Sequence, residues 1–259
     1  MKNEFILDGN EVDKFCTTWL GSGDENPGIV FIGLEFSSEA RNEKTISSFF
    51  NEIKDLKYPE IVADYTDFVT RHSRAIDPNF KFDRSPYGAS NPTRHKMAVM
   101  AYCILNNLEP SQKIRNLTNF KNFARSFANK GSNTAAWELY PLPCTSETDF
   151  KYSSWLDIST HPQFCNKTAY REYYSQIRKK ILQNRIKKSD IKNLIMYSMG
   201  NKSEFESILG IQFDEKKTES GYKFYYKKIE ERNYILIKHF VSPGFSYKYV
   251  NEVLKHVKD

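Results

Sequence analysis

The chain has 259 residues, with 38 Lys and Arg against 32 Asp and Glu, a formal net charge of +6. That length supports one substantial core, and a composition 39% hydrophobic with 15% aromatics excludes intrinsic disorder and low-complexity repeats. Apolar runs stay far short of the ~20 residues that a membrane-spanning helix needs, so a soluble chain with no membrane partner is expected.

A mild positive excess suits a polyanionic partner, and 16 Tyr with 19 Phe offer faces on which bases stack beside Lys and Arg. An aromatic-rich core accounts for those counts equally well. Cys16, Cys103, Cys144 and Cys165 are widely spread and lack the C-x-x-C spacing of zinc or redox centres. Free thiols in a reducing cytoplasm are expected, with no metal and no cofactor. The start, Met1-Lys2-Asn3-Glu4, lacks the apolar region of a secretory leader, which also predicts a cytoplasmic protein.

In chain order, residues 11–20 read as a short helix with Phe15, Trp19 and Leu20 on one side. A Gly-Ser-Gly-Asp turn leads to an apolar strand over 29–33, which runs into a glycine turn ending on Glu35. Helices are predicted over about 45–56 and 60–72, the second with Ile61, Tyr65, Phe68 and Val69 at helical spacing. A Pro/Gly/Ser/Asn stretch from Ile76 to Pro92 reads as a long loop, and loops of that length are often functional.

Helices resume over about 93–108 and 111–129, followed by a strand over Thr134–Tyr140 that ends at Pro141-Leu142-Pro143. A long helix over about 168–186 precedes the strand 191–197, and Gly200 opens a helix over about 203–209. The tail reads as a hairpin and a final helix; its apolar strand, Tyr234-Ile235-Leu236-Ile237, delivers Lys238 and His239 into the turn Phe240-Val241-Ser242-Pro243-Gly244. Strands separated by helices imply one domain over 1–259 with a largely parallel sheet covered on both faces, and ligands at the carboxyl ends of the strands. Glu35, Glu138 and His239 all lie at or near such ends.

The order of these features resembles the uracil-DNA glycosylase superfamily, and the resemblance spans most of the chain. Gly33-Leu34-Glu35-Phe36-Ser37 stands where that family has a glycine, an acid or amide, and Pro-Gly or Pro-Tyr; here Phe36 and Ser37 replace the latter pair. His239-Phe240-Val241-Ser242-Pro243 resembles the family's H-P-S-P motif with one extra residue. Glu138 stands where family members place an amide that reads the edge of a flipped base. The resemblance implies a three-layer α/β/α sandwich around a short, mostly parallel sheet, with Gly33, Leu34, Phe36, Glu138 and Tyr140 around the base. It also implies that the loop after His239 touches DNA, through Ser242, Gly244, Phe245 and Lys248, with an intercalating side chain among them.

Breaking an N-glycosidic bond builds positive charge on the sugar and negative charge on the departing base. Glu35 is expected to position water and stabilise the sugar, and His239 to donate a hydrogen bond to the base. Phe36 or Tyr140 offers a stacking face. An ionised Glu138 would only accept hydrogen bonds, which disfavours uracil O4 and suits the amino group of a cytosine-type base. This tilts the reading toward the superfamily's antiphage branch, which removes glucosylated hydroxymethylcytosine from phage DNA.

Plainer roles stand beside these. Glu35 has the chemistry to cap the following helix, His239 to satisfy a strand-end carbonyl, and Glu138 to pair with a core Arg or Lys. The basic run from Arg178 to Lys192 reads most simply as a solvated helix face. A uracil or mismatch repair glycosylase, a catalytically silent DNA-binding module and a hydrolase of free nucleosides or nucleotides all remain open.

Overall fold

The computed structural model describes residues 6–37, 42–80, 92–144, 148 and 150–258. The chain opens with α1 (Gly9–Thr18), β1 (Gly21–Gly23), β2 (Ile29–Ser37), α2 (Glu43–Asp55), β3 (Ile61–Val62) and α3 (Tyr65–Ile76). It continues with α4 (Pro92–Leu105), α5 (Thr118–Ser126), β4 (Thr134–Cys144), α6 (Tyr152–Trp155), α7 (Lys167–Lys187) and β5 (Asn193–Tyr197). The last elements are α8 (Lys202–Leu209), β6 (Asp214–Lys217), β7 (Lys223–Ile229), β8 (Arg232–Ile237) and α9 (Tyr247–Lys258).

These strands form one sheet of eight, in the order β3-β1-β4-β2-β5-β8-β7-β6. The class is α/β as expected, but the sheet is neither short nor uniformly parallel. Strands β4, β2, β5 and β8 are mutually parallel; β1 is antiparallel to β4, β7 to β8 and β6 to β7. The enlargement comes from short or polar strands that carry no apolar alternation, such as Asp214-Glu215-Lys216-Lys217.

Alternation along the central strands divides the interior in two, because successive side chains point to opposite faces. Val30, Ile32 and Leu34 of β2 pack with Phe49 of α2, Phe68 of α3, Tyr170 and Tyr174 of α7 and Phe205 of α8. Ile29 and Phe31 face the other way, onto Met100 and Cys103 of α4, Phe120 of α5 and Tyr249 and Val253 of α9. Val30, Phe31 and Ile32 are essentially inaccessible. Each such side chain contributes roughly 1.5–3 kcal/mol on burial.

Several boundaries differ from the sequence expectation for identifiable reasons. Ile61 and Val62 pair as β3 with β1, and helix α3 starts only where the Asp64 carboxylate accepts the Asp67 N–H as N-cap. The helix expected over 111–129 is interrupted at Leu117, whose ψ of 130° separates a 3-10 turn from α5. Strand β4 continues through Pro141 and Pro143, since the register with β2 jumps between Glu35↔Tyr140 and Ser37↔Cys144 and the intervening residues need not donate to the ladder. Cys16, Cys103, Cys144 and Cys165 are free thiols, as expected. Among the described residues no helix is long and apolar enough to cross a membrane. The expected loop 76–92 falls largely on residues outside those described.

One side chain ties the layers together. Arg178 of α7 is fully buried and donates to four backbone carbonyls, Leu139 O at 2.8 Å, Glu138 O at 2.8 Å, Trp19 O at 2.6 Å and Cys16 O at 3.4 Å. The guanidinium fork thus fixes the end of α1 and the middle of β4 to one helix. Arg178→Met is expected to strand these acceptors and destabilise the fold by at least about 3 kcal/mol. A clear drop in the urea midpoint checks this; an unchanged midpoint would contradict it.

Candidate functional site

The path of the chain locates the site before any side chain is considered. From β2 the chain passes to β4 on one side and then to β5 on the other, so the connection reverses between β2 and β5. In open α/β sheets the crevice beyond the carboxyl ends at such a reversal is the usual ligand site. The β2–β5 pairing stops at Ile32↔Met196, whereas β2 stays paired with β4 as far as Ser37↔Cys144. Gly33 is therefore the first residue past the point where β2 parts from β5. The segment 33–37 is extended strand rather than the expected glycine turn, because β4 continues to pair with it.

Gly33 has a steric role. A Cβ there would stand 2.3 Å from Glu138 Oε2 and 2.4 Å from Tyr197 Oη. Without one, a carboxyl from β4 and a phenol from β5 reach over the β2 backbone. Glu138 is 8% exposed, and its Oε2 has no hydrogen-bond partner. Arg178 approaches it but spends its donors on backbone carbonyls, one of them Glu138's own. Burial, aided by the charge of Glu35, pushes the Glu138 carboxyl up to about 8 against the smaller opposing effect of Arg178. At neutral pH it is a carboxylic acid, with one O–H to donate and one C=O to accept.

His239 follows β8 on the same face. Its ring lies 5.4 Å from that of Tyr197 at 63°, and Phe240 packs 5.1 Å from the same tyrosine. The Val241 N–H donates to His239 Nδ1 at 3.3 Å, which leaves the proton on Nε2. Burial and the neighbouring Lys96 charge hold the imidazole below its ordinary value and hence neutral at pH 7. Next door, Ser198 adopts φ 117°, ψ 72° to turn β5 toward α8, and its Oγ accepts from Asn201 Nδ2 at 2.8 Å. Backbone strain of this kind is concentrated at functional sites.

Glu35 sits differently. Lys167 Nζ lies 2.6 Å from its Oε2, and Arg171 Nε and Nη2 donate to its Oε1 at 2.9 and 2.7 Å. It does not cap α2, whose N-cap is Asn42. Among the described residues these contacts take two acceptor positions on Oε1 and one on Oε2, of a carboxylate's roughly four. Both cations belong to α7, so Glu35 is held toward one side of the strand ends while Glu138 and His239 gather on the other.

The remaining expected residues divide. Leu34 is core beneath α7. Tyr140 is fully buried, with its hydroxyl on Glu204, its ring 5.8 Å from Tyr170 and the Arg171 guanidinium 5.7 Å away, so no face is open for stacking. The Phe36 side chain lies outside those described. Phe245 packs against Phe240 and Tyr249 rather than projecting, and Val241, 54% exposed, is the apolar tip of the loop. Ser242 N–H donates to His239 O at 2.9 Å, and Gly244, at φ +81°, completes the turn. Lys248 is an exposed helix residue 3.9 Å from Glu252. Tyr197 was missed because it reads as one more apolar strand residue; only its place at the end of β5 distinguishes it.

A separate groove of about 310 Å³ lies between α2 and α3, lined by Lys44, Ser48, Glu52, His72 and Ile76. Its polar groups serve the helix pair: Lys44 Nζ donates to Ile76 O, Ser48 Oγ to His72 O, and Arg71 pairs with Glu52. No described polar contact ties it to Glu138 or His239. Among the described residues no group of His, Cys, Asp and Glu could hold a metal ion.

The buried acid has a consequence for stability. The native state holds the Glu138 proton up to about pH 8, whereas the unfolded chain releases it near 4.5, so the native state binds more protons in between. The contribution of Glu138 is fully present below that window and falls as pH rises from about 5 to about 8, by up to ~1.4 kcal/mol per pH unit. Glu138→Gln should flatten this slope in pH-dependent urea denaturation; identical slopes in both proteins would contradict it. No protein-family model, no curated protein and no solved structure matches this chain, so the chemistry of the site itself carries the functional reading.

Proposed function

We propose that this chain is a DNA glycosylase of the uracil-DNA glycosylase type, a three-layer α/β/α sandwich that hydrolyses the N-glycosidic bond of a flipped, modified cytosine-type base, as found in phage DNA. The observation that carries the reading is Glu138: a buried carboxyl beside Gly33 at the strand ends, with an oxygen left unsatisfied. Such a group is costly unless a ligand pairs with it.

A neutral acid changes the argument about the base. An ionised Glu138 would only accept, whereas the acid presents a donor and an acceptor side by side. Cytosine offers a ring acceptor at N3 and an amino donor at N4, so both bonds form at once. Uracil offers the reverse pair, N3–H and O4, which the acid also matches. Ionisation acts on both alike: the carboxylate still accepts from cytosine N4–H or uracil N3–H, and loses the donor that met cytosine N3 or uracil O4. Activity on either base should therefore fall as pH rises through about 8, and an alkali-cleavage pH profile that is flat across that range would contradict it.

In this reading the His239 Nε2–H donates to the base as it departs with negative charge, and the ion-paired Glu35 offers its remaining acceptor position to a water near the sugar. Flipping costs a few kcal/mol, which hydrogen bonds in the pocket offset. The exposed Val241 at the loop tip would enter the gap in the stack.

A second reading has its own support. Glu35 is so fully engaged by Lys167 and Arg171 that a silent module, which grips the base without cutting, fits the same geometry. The deciding experiment incubates duplexes carrying uracil, cytosine, hydroxymethylcytosine or glucosylated hydroxymethylcytosine with the protein, then applies alkali. Breaks at a modified cytosine are expected, reduced at least about 10²-fold in His239→Ala and Glu138→Ala and largely kept in Glu138→Gln. Bound but uncut DNA would establish the silent module, and breaks at uracil alone would overturn the cytosine assignment.

A further inference from the structure

The loop carrying His239 is bordered by three half-buried cations with no carboxylate partner among the described residues. Lys96 of α4 donates to Phe240 O at 2.5 Å, with its ammonium 5.0 Å from the Phe245 ring centre. Arg115, in the 3-10 turn before α5, donates through Nε to Tyr247 Oη at 2.8 Å, its guanidinium 5.4 Å from that ring. Lys238, next to His239, holds its ammonium 5.4 Å from Tyr222 and 5.9 Å from Tyr249, and 3.2 Å from where a Cβ on Gly244 would stand. Other partly buried cations differ: Lys167 and Arg171 are neutralised by Glu35 and Lys202 by Glu206, while Arg232 donates to the Ser189 and Ile191 carbonyls.

Gathering like charges away from water is unfavourable, and the pair Lys96 and Arg115 feels it, since burial and the Arg115 charge together depress the Lys96 ammonium. Carbonyl, hydroxyl and ring contacts nevertheless hold all three in place. A preorganised cationic surface of this kind is completed by an anion. Contacts link the three in series: the Arg115 charge acts on Lys96, Lys96 lies over Phe245, Phe245 packs on Tyr249, and Lys238 lies over Tyr249 and Tyr222. A row of cations interleaved with half-exposed aromatic faces matches the repeating charge and the bases of a nucleic-acid strand.

We propose that Lys96, Arg115 and Lys238 form a rim that binds successive phosphodiesters of a DNA strand beside the nucleotide whose base enters the Gly33 pocket. The proposal rests on the glycosylase-type reading for the base, but not on bond cleavage. It replaces the exposed, Glu252-paired Lys248 as the main phosphate contact of this loop.

The test is equilibrium binding of a short labelled DNA duplex by fluorescence anisotropy across about 50 to 200 mM salt. The triple variant Lys96→Gln, Arg115→Gln, Lys238→Gln keeps hydrogen-bond donors at each position and should reduce the slope of log affinity against log salt by about 2 to 3, at ~0.9 for each phosphate no longer neutralised. A charge-matched control, Lys180→Gln, Lys187→Gln, Lys188→Gln on the exposed side of α7, should leave the slope near the parent value. Equal slopes in the triple variant and the parent, or an equal reduction in the control, would overturn the rim. So would a parent that binds a free nucleoside monophosphate but no duplex. A reduced slope without cleavage by the parent would keep the rim and remove the enzymatic reading; cleavage with an unchanged slope would do the opposite.

Discussion

The Arg178 guanidinium, buried between α7, the end of α1 and β4, sets the position of everything at the strand ends. It binds the carbonyls of Glu138 and Leu139 from the α7 side, which fixes the β4 backbone at the residue whose side chain faces the opposite way. Glu138 is thereby presented over Gly33 toward Tyr197 and His239. Because the arginine's donors are consumed by backbone, the carboxyl receives its field but no hydrogen bond. The fold thus builds a buried acid and leaves it unsatisfied.

Two carboxyl groups on adjacent strands consequently have opposite surroundings. Glu35 is matched by Lys167 and Arg171 at the head of α7, while Glu138 is enclosed and repelled by the charge of Glu35. Ion pairing on one strand and enclosure on the next set a salt-bridged carboxylate beside a neutral acid. The neutral, Nε2-protonated His239 adds a second donor from the next strand but one. The proposed bond cleavage and the alternative of base holding would both draw on these groups, and the degree to which Glu35 is engaged by its cations distinguishes the two proposals.

Much of this was legible in the sequence because apolar alternation and glycine placement are local signals. The strands 29–33, 134–140 and 191–197 and the strand before His239 were read close to where they occur, although β2 and β4 run on to Ser37 and Cys144, so that Glu35 and Glu138 lie within their strands and only His239 follows one. The ion pairs that distinguish Glu35 from Glu138 join it to residues more than 130 positions away, which no local pattern reveals. Arg178 was hidden inside a basic run that reads as solvated, although Lys180, Lys187 and Lys188 of that run are exposed. Tyr140 carried the right residue type for a stacking face, but its ring is enclosed by Tyr170 and its hydroxyl is held by Glu204. The polar edge strand β6 has no periodicity to read, so the size of the sheet was underestimated.

The account depends most on Glu138 being a neutral acid with an unfilled hydrogen-bonding position in the native protein. Infrared difference spectroscopy between the parent and Glu138→Gln at pH 7 tests this directly. A protonated carboxyl band that is present in the parent, absent from the variant and shifted on addition of DNA is the predicted result. A difference spectrum containing only carboxylate bands at that pH would contradict it.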